Sequence, residues 1–308
     1  MNPSCGLYAS LAYKCKLGGP RGNDGFPEGH QQDTSKIDPK QNTMLSSPIF
    51  LAAWAGLISQ AVADCSRSML QEATAGYLAA VAAGKSTFPA LGTDKVEYVE
   101  NTKDVDITKG ILSQPIRIDF NLTLYDTTQC ASYTEIVSTD TKHPYVIGSR
   151  LAFDANNKVN RIDQNVCTSY NGHKDWVFDA AGTLKAIKKE NWDPIPEAKR
   201  DTRDAIRKAA DAYIDGLGDS SIKQPVAASC VMLEGGSART GCALAFGKGP
   251  SAKITIRLYT IDEQLGGADV FHPFPQLDKA LGKSTTTNNL FKVQGGSIQI
   301  VHEDTVLF

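Results

Sequence analysis

Residues 190–217 read ENWDPIPEAKRDTRDAIRKAADAYIDGL. This stretch decides the organisation of the chain, because it ends one structural unit, links, and opens a second that repeats the first. Moved back by 136 positions, Arg203, Ala209 and Tyr213 fall on Arg67, Ala73 and Tyr77, while Ile206 falls on Leu70 and Ile214 on Leu78. The chain reads as a tandem duplication, with a first domain over residues 64–193 and a second over 194–308. At 308 residues there is enough chain for two domains that each bury a core. Between them, Pro194 and Pro196 bias the residues before them toward extended backbone and make the link stiff.

Past the link, Asp201 or Thr202 is placed to cap a helix striped by Ile206, Ala210, Tyr213, Ile214 and Leu217, with Gly216 or Gly218 as its stop. Its counterpart starts at Asp64 or Ser66, carries Met69, Leu70, Ala73, Tyr77 and Val81 on one face, and ends at Gly84. Strand-like segments follow each helix. In the first copy they span 96–99, 116–124, 132–138, 145–153 and 159–166, with a tight turn at 156–158 and a further hairpin that pairs 176–178 with 183–189 across DAAG. In the second they span 231–234, 254–261, 268–271, 290–293 and 298–306, the last two joined by Gln294, Gly295 and Gly296. A helix followed by a meander, twice over, predicts an α+β chain of two tandem cone-like domains. Each would be a curved antiparallel sheet wrapped around its leading helix, enclosing an apolar pocket for a small hydrophobic molecule.

Upstream, residues 46–63 read SSPIFLAAWAGLISQAVA, an apolar run too short for a bilayer core of about 30 Å and closed by the small-residue pattern Ala61, Val62, Ala63. The pattern predicts a signal peptide over 44–63, with Met44 as initiator and residues 1–43 as a polar, disordered extension or an artefact of the gene model. The product would be secreted and extracellular, with no membrane partner after signal removal. In that compartment Cys65, Cys130, Cys167, Cys230 and Cys242 should mostly pair. Cys230 and Cys242 bracket a Gly-rich turn and are expected to bridge. Cys65 reaches Cys130 or Cys167; the expectation is Cys130, with Cys167 left over. Asn121 begins an N-glycosylation sequon and should point outward.

Net charge is -2 and no segment is strongly basic, which argues against nucleic acid as a partner. No C-x-x-C pair and no H-E-x-x-H motif supports a metal, and neither AGKS at 83–86 nor GGS at 235–237 and 295–297 completes a phosphate loop or nucleophile elbow. No cofactor is expected.

DTTQC, HPYVIG, DWVFDAAG, ENWDPIPEAKRDTR, DAY, LEGG and VQGGSIQIVH resemble, as a set, a fungal family of secreted proteins of unassigned function. The order of elements resembles the nuclear transport factor two and ketosteroid isomerase superfold. Together these resemblances cover nearly all of 64–308. Catalytic relatives on that superfold use a buried carboxylate or His, lifted toward neutrality by desolvation, to take a proton beside a carbonyl. Carried onto this chain, the resemblance implies Tyr77, Glu100 and Asp163 as a catalytic set in the first copy, with the Tyr donating to a developing oxyanion. It implies Tyr213, Glu234, Arg257 and His302 as ligand-binding groups in the second. The second copy departs from the family pattern, which has an Arg at Met232 and an acid and a His near Asn288 and Asn289, so its site is expected to be changed. Two functions remain: a binding protein that uses its pockets without chemistry, which is favoured because the superfold has many non-catalytic members, and a cofactor-free lyase, isomerase or cyclase.

Overall fold

The computed structural model describes residues 65–169, 177–245, 253–282 and 284–307. The extension, the signal segment and Trp176 lie outside the described residues. Helix α1 (Arg67–Ala83) starts at Ser66, whose Oγ accepts the Met69 N–H at 3.2 Å, and stops at Gly84, which adopts φ 63. The helix buries Leu70, Ala73, Thr74, Tyr77, Ala80 and Val81. It is followed by β1 (Glu97–Glu100), β2 (Lys103–Asp104), β3 (Phe120–Asp126), β4 (Ala131–Ser138), β5 (Tyr145–Phe153) and β6 (Val159–Thr168). These form one sheet in the order β2-β1-β6-β5-β4-β3.

After the short helix α2 (Ala180–Ile187), the second unit repeats the plan. Helix α3 (Arg203–Gly218), capped by Thr202, leads into β7 (Val226–Glu234), β8 (Ser237–Thr240), β9 (Leu258–Asp262), β10 (Gly267–Pro273), β11 (Thr285–Gln294) and β12 (Ser297–Leu307). A short helix, α4 (Pro275–Leu281), separates β10 from β11. The second sheet runs β8-β7-β12-β11-β10-β9, the first sheet's order strand for strand. The chain is thus a mixed α+β protein of two sheet-dominated units.

Two expectations are corrected. The sheets are not antiparallel throughout: β1 runs parallel to β6 and β7 parallel to β12, because the strand after each leading helix joins the far edge of the meander instead of preceding it. Residues 183–189 are not a hairpin strand. DAAG is a helix start, with the Asp179 carboxylate accepting the N–H groups of Ala181 and Gly182 at 3.0 Å each. The helix it starts, α2, buries Ala180, Thr183, Ala186 and Ile187 in a cluster that holds Val137, Val146 and Cys167 of the first unit as well as the second unit's core.

Each sheet packs its own leading helix on one face. Around Tyr77 the first core gathers Leu70, Leu112, Ile136, Ile147, Leu151 and Ile162, and around Tyr213 the second gathers Ile206, Met232, Phe274, Phe291 and Val301. The opposite faces of the two sheets meet each other. A Cβ on Gly148 of β5 would lie 2.8 Å from the Asn288 side chain of β11, so the two central strands approach too closely there for any larger residue.

Candidate functional site

In the first unit, Tyr77 and Glu100 lie on the helix-covered face of the sheet and belong to one chain of hydrogen bonds. Tyr77 Oη donates to Ser149 Oγ at 2.8 Å, Gln164 Nε2 donates to Tyr77 Oη at 2.6 Å, and Tyr98 Oη donates to Gln164 Oε1 at 2.5 Å. The same Tyr98 hydroxyl lies 2.9 Å from Glu100 Oε2, which also accepts the Ile111 N–H at 2.8 Å. Burial pushes the Tyr77 and Tyr98 phenols well above their usual range, and the Glu100 charge pushes Tyr98 further, so both are neutral donors. The turn that follows, with Ile111 and Leu112 buried, fills the space beside this chain. Glu100 is half-buried.

Asp163 is not part of this set. Side chains alternate along a strand, and on β6 Ile162 and Gln164 face α1 while Asp163 faces the other way. There it accepts Arg161 Nη2 at 2.7 Å and lies 3.7 Å from Arg150 Nη1. Gln164 is the residue that joins Tyr77, and the alternation of β6 was the signal for it.

In the second unit, the Tyr213 hydroxyl donates to the Cys242 carbonyl at 3.0 Å, and burial raises its pKa well above the usual phenol range. Met232 stands beside it, with Arg239 donating to the Met232 sulfur. Glu234 is half-buried and pairs in register with Glu303, as Glu100 pairs with Gln164. Arg257 ties the start of β9 to the flank of α3: it binds Asp211 at 2.6 Å, Asp215, and the Ile254 carbonyl at 2.9 Å. His302, like Asp163, sits on the sheet's other face, remote from Tyr213, where it contacts Glu135 and Glu190. The structure therefore brings together Tyr77 with Glu100, and separates Asp163, Arg257 and His302 from the cores around Tyr77 and Tyr213.

Bridges join Cys65 to Cys130 and Cys230 to Cys242, and Cys167 is free and buried. Asn121 is exposed on β3.

The groups that sequence reasoning missed lie where the two units meet. Arg67, at the start of α1, donates through both terminal nitrogens to Asp262 at the end of β9, at 2.8 and 2.9 Å. Arg203, at the start of α3, does the same to Asp126 at the end of β3, at 2.7 Å each. Asp262 also accepts the Tyr125 N–H at 3.0 Å, and Asp126 the Ile261 N–H at 2.8 Å. Every one of these partners maps onto its counterpart by the same 136-residue shift, so the seam is a pair of reciprocal, two-toothed ion pairs related by an approximate twofold axis. Both carboxylates are buried and both arginines keep 23 % of their side-chain surface.

Over these pairs lies a groove of about 360 Å³, walled by Arg67, Tyr125, Arg200, Asp201, Arg203 and Glu263 among others. Arg200 Nε donates to the Ile195 carbonyl at 2.8 Å, and among the described residues its terminal nitrogens have no partner. Glu263 Oε1 accepts the Arg203 N–H at 2.9 Å. The wall has charges of both signs, with hydroxyls from Thr127, Thr128 and Thr202 and the amide of Gln264. Such a lining suits a polar ligand with an anionic group and hydroxyls, not an apolar one.

Residues 199–305 match a domain of unknown function, DUF8021. The match covers about a third of the chain and spans α3 to β12, the second unit. No curated protein matches the chain. No described helix is long and apolar enough to cross a membrane.

Proposed function

We propose that this chain is a secreted, two-repeat binding protein without chemistry of its own, glycosylated at Asn121, that holds a small polar ligand in the seam groove beside Arg200. The observation that carries this reading is the contrast between the two kinds of site. Inside the first cone the central polar groups are bonded to one another, and the Tyr213 hydroxyl of the second is taken by a carbonyl. In the groove, a guanidinium held at one nitrogen offers its other two. The two disulfides are in keeping with an oxidising compartment. The resemblance to the ketosteroid isomerase superfold remains part of the proposal, as a scaffold whose cone interiors serve as cores.

The test is a thermal-shift screen with sugar acids, amino acids and hydroxy acids. Ligand at about 100 times its Kd should add about 2.7 kcal/mol of stability. Hits should lose their effect in Arg200→Ala and keep it in Glu100→Gln; the reverse pattern would refute the groove. A second reading, a cofactor-free lyase, isomerase or cyclase, is favoured by the Glu100 carboxylate standing 2.9 Å from Tyr98 Oη and linked through Gln164 to Tyr77. It predicts solvent-deuterium exchange at the α-carbon of small carbonyl compounds that disappears in Glu100→Gln, and the binding reading predicts none.

A further inference from the structure

The layer between the two sheets sets an apolar cluster, Leu124, Tyr133, Phe271 and Leu290, beside a group of buried acids. Glu135 on β4, Asp269 on β10 and Asp304 on β12 are each at most 4 % exposed, and the Glu190 side chain, from the link between the units, is 7 % exposed. At the centre stands His302, 1 % exposed, with Nδ1 2.7 Å from Glu135 Oε2 and Nε2 2.8 Å from Glu190 Oε2. Glu190 Oε2 also accepts the Trp192 Nε1–H at 2.9 Å, and the indole lies edge-on to the imidazole, 6.0 Å between ring centres. The link from Glu190 to Ile195 therefore runs as a strap over His302, and it is pinned at its far end by the Ile195 N–H, which donates to the Gln264 carbonyl at 2.7 Å.

The geometry suits an imidazolium. A neutral imidazole has one N–H donor and one acceptor nitrogen, so it can serve only one of two ionised carboxylates. Both ring nitrogens of His302 meet carboxylate oxygens, and both must donate. When the proton leaves, one of the two glutamates is left ionised, buried and without its donor, which is a costly state. Glu135, in the middle of a central strand, has no route to water. Glu190 reaches water if the strap lifts.

We propose that the strap Glu190–Ile195 is a proton-operated latch, closed over His302 in acid and released as the pH rises. The other charged groups around His302 fit this direction. Two residues along its own strand is Asp304, and Asp269 faces it from β10; one oxygen of each, Oδ2, is buried with no hydrogen-bond partner among the described residues. Oε1 of Glu135 and of Glu190 is likewise unpartnered there, which leaves the charge of both glutamates dependent on His302. An orphaned buried oxygen is tolerable on a neutral carboxyl and expensive on an ionised one. Burial, reinforced by the neighbouring acids, lifts the Asp269 and Asp304 carboxyls well above their usual range. For His302, burial works against the charge, but Glu135 and Glu190 outweigh it and the imidazolium persists well above the ordinary histidine value. On β11, Lys292 donates to the Asn191 carbonyl of the strap at 2.6 Å; burial lowers its pKa against the pull of Asp193 and Glu190. Arg150 on β5 and Asp163 on β6 pair with each other farther along the layer. Glu303, next to His302 on β12, faces the second core. Among the described residues no three His, Cys, Asp or Glu side chains are placed to share a metal ion.

The strap's last residue, Ile195, also holds Arg200 of the groove wall through its carbonyl, but neither His302 nor Glu190 lines the groove. The test is hydrogen exchange by mass spectrometry on the whole chain, read as protection after correction for the intrinsic rate. Strap peptides around residues 189–196 should lose protection about tenfold between about pH 5 and about pH 8, while β5 and β11 keep theirs. Glu190→Gln removes the charge the imidazolium holds at the strap and should shrink the response to about twofold or less. Trp192→Phe keeps every charge and should retain the tenfold response. Strap protection that is flat with pH in the wild-type chain, a full response in Glu190→Gln, or its loss in Trp192→Phe would each overturn the latch.

Discussion

Asp126→Ala tests the seam at its most loaded residue. The carboxylate is fully buried and accepts Arg203 at both oxygens, the Ile261 N–H across the seam, and the N–H groups of Thr128 and Gln129 in its own turn at 3.1 and 2.9 Å. Removing one partner of a buried ion pair costs about 3–5 kcal/mol, because the other charge is left behind. Arg203 keeps 23 % of its side-chain surface and can recover some hydration, so the lower end, about 3 kcal/mol, is expected. Chemical denaturation gives the loss directly, and a double-mutant cycle with Arg203→Ala should return a coupling of about 2 kcal/mol. The reciprocal pair, Arg67 and Asp262, has the same bonds across the seam and should give the same coupling to within about 1 kcal/mol. A loss below about 1 kcal/mol for Asp126→Ala, or a coupling near that of an ordinary surface pair, would refute the view that these pairs hold the units together.

The melting temperature should be highest in mild acid and fall as the pH rises. Asp269, Asp304 and His302 all have native pKa values above their unfolded ones, so their contribution is complete below the unfolded values of about 3.9 and about 6.5 and is lost as the pH climbs through the native values. Asp119, held at about 2 chiefly by its hydrogen bond from Arg117, acts in the opposite sense, its contribution fading as the pH falls toward about 2; a melting profile that peaks in alkali would contradict the assignments of Asp269, Asp304 and His302. Gly148→Ala should cost about 1–3 kcal/mol in a denaturant titration, because the new methyl meets Asn288 across the seam. Replacing both cysteines of the 230–242 bridge by Ala should cost about 3 kcal/mol, and of the 65–130 bridge about 4 kcal/mol, in line with the lengths of chain each closes.

The repeat was legible because Arg67 and Arg203, and Tyr77 and Tyr213, recur at one spacing on amphipathic helices, and the periods of both helices and of most strands could be read directly. Three things were not. DAAG at 179–182 reads equally as a hairpin turn or a helix start, and only the apolar face of α2, filled by Val137, Val146 and Cys167 from far earlier in the chain, decides between them. The parallel pairing of β1 with β6 leaves no mark on either strand. The role of Asp163 and of His302 depends on which face of the strand each occupies. The neighbours Gln164 and Val301, which point into the cores, show by alternation that Asp163 and His302 do not. A signal for the inter-sheet layer was present in TTTNN at 285–289 and in HED at 302–304: polar runs inside strands, without the alternation of a surface strand, are what a sheet buried on both faces produces when the second face meets another polar sheet.

The measurement that bears most directly on the proposed function is a crystallographic soak of the protein with the ligands that raise its melting temperature. The account predicts density in the seam groove, with an anionic group against the two free nitrogens of Arg200 and the Arg67–Asp262 and Arg203–Asp126 pairs intact beneath it. Density beside Tyr98 and Glu100, with the 111–113 turn displaced to admit it, would contradict the account and establish the first cone as the working site.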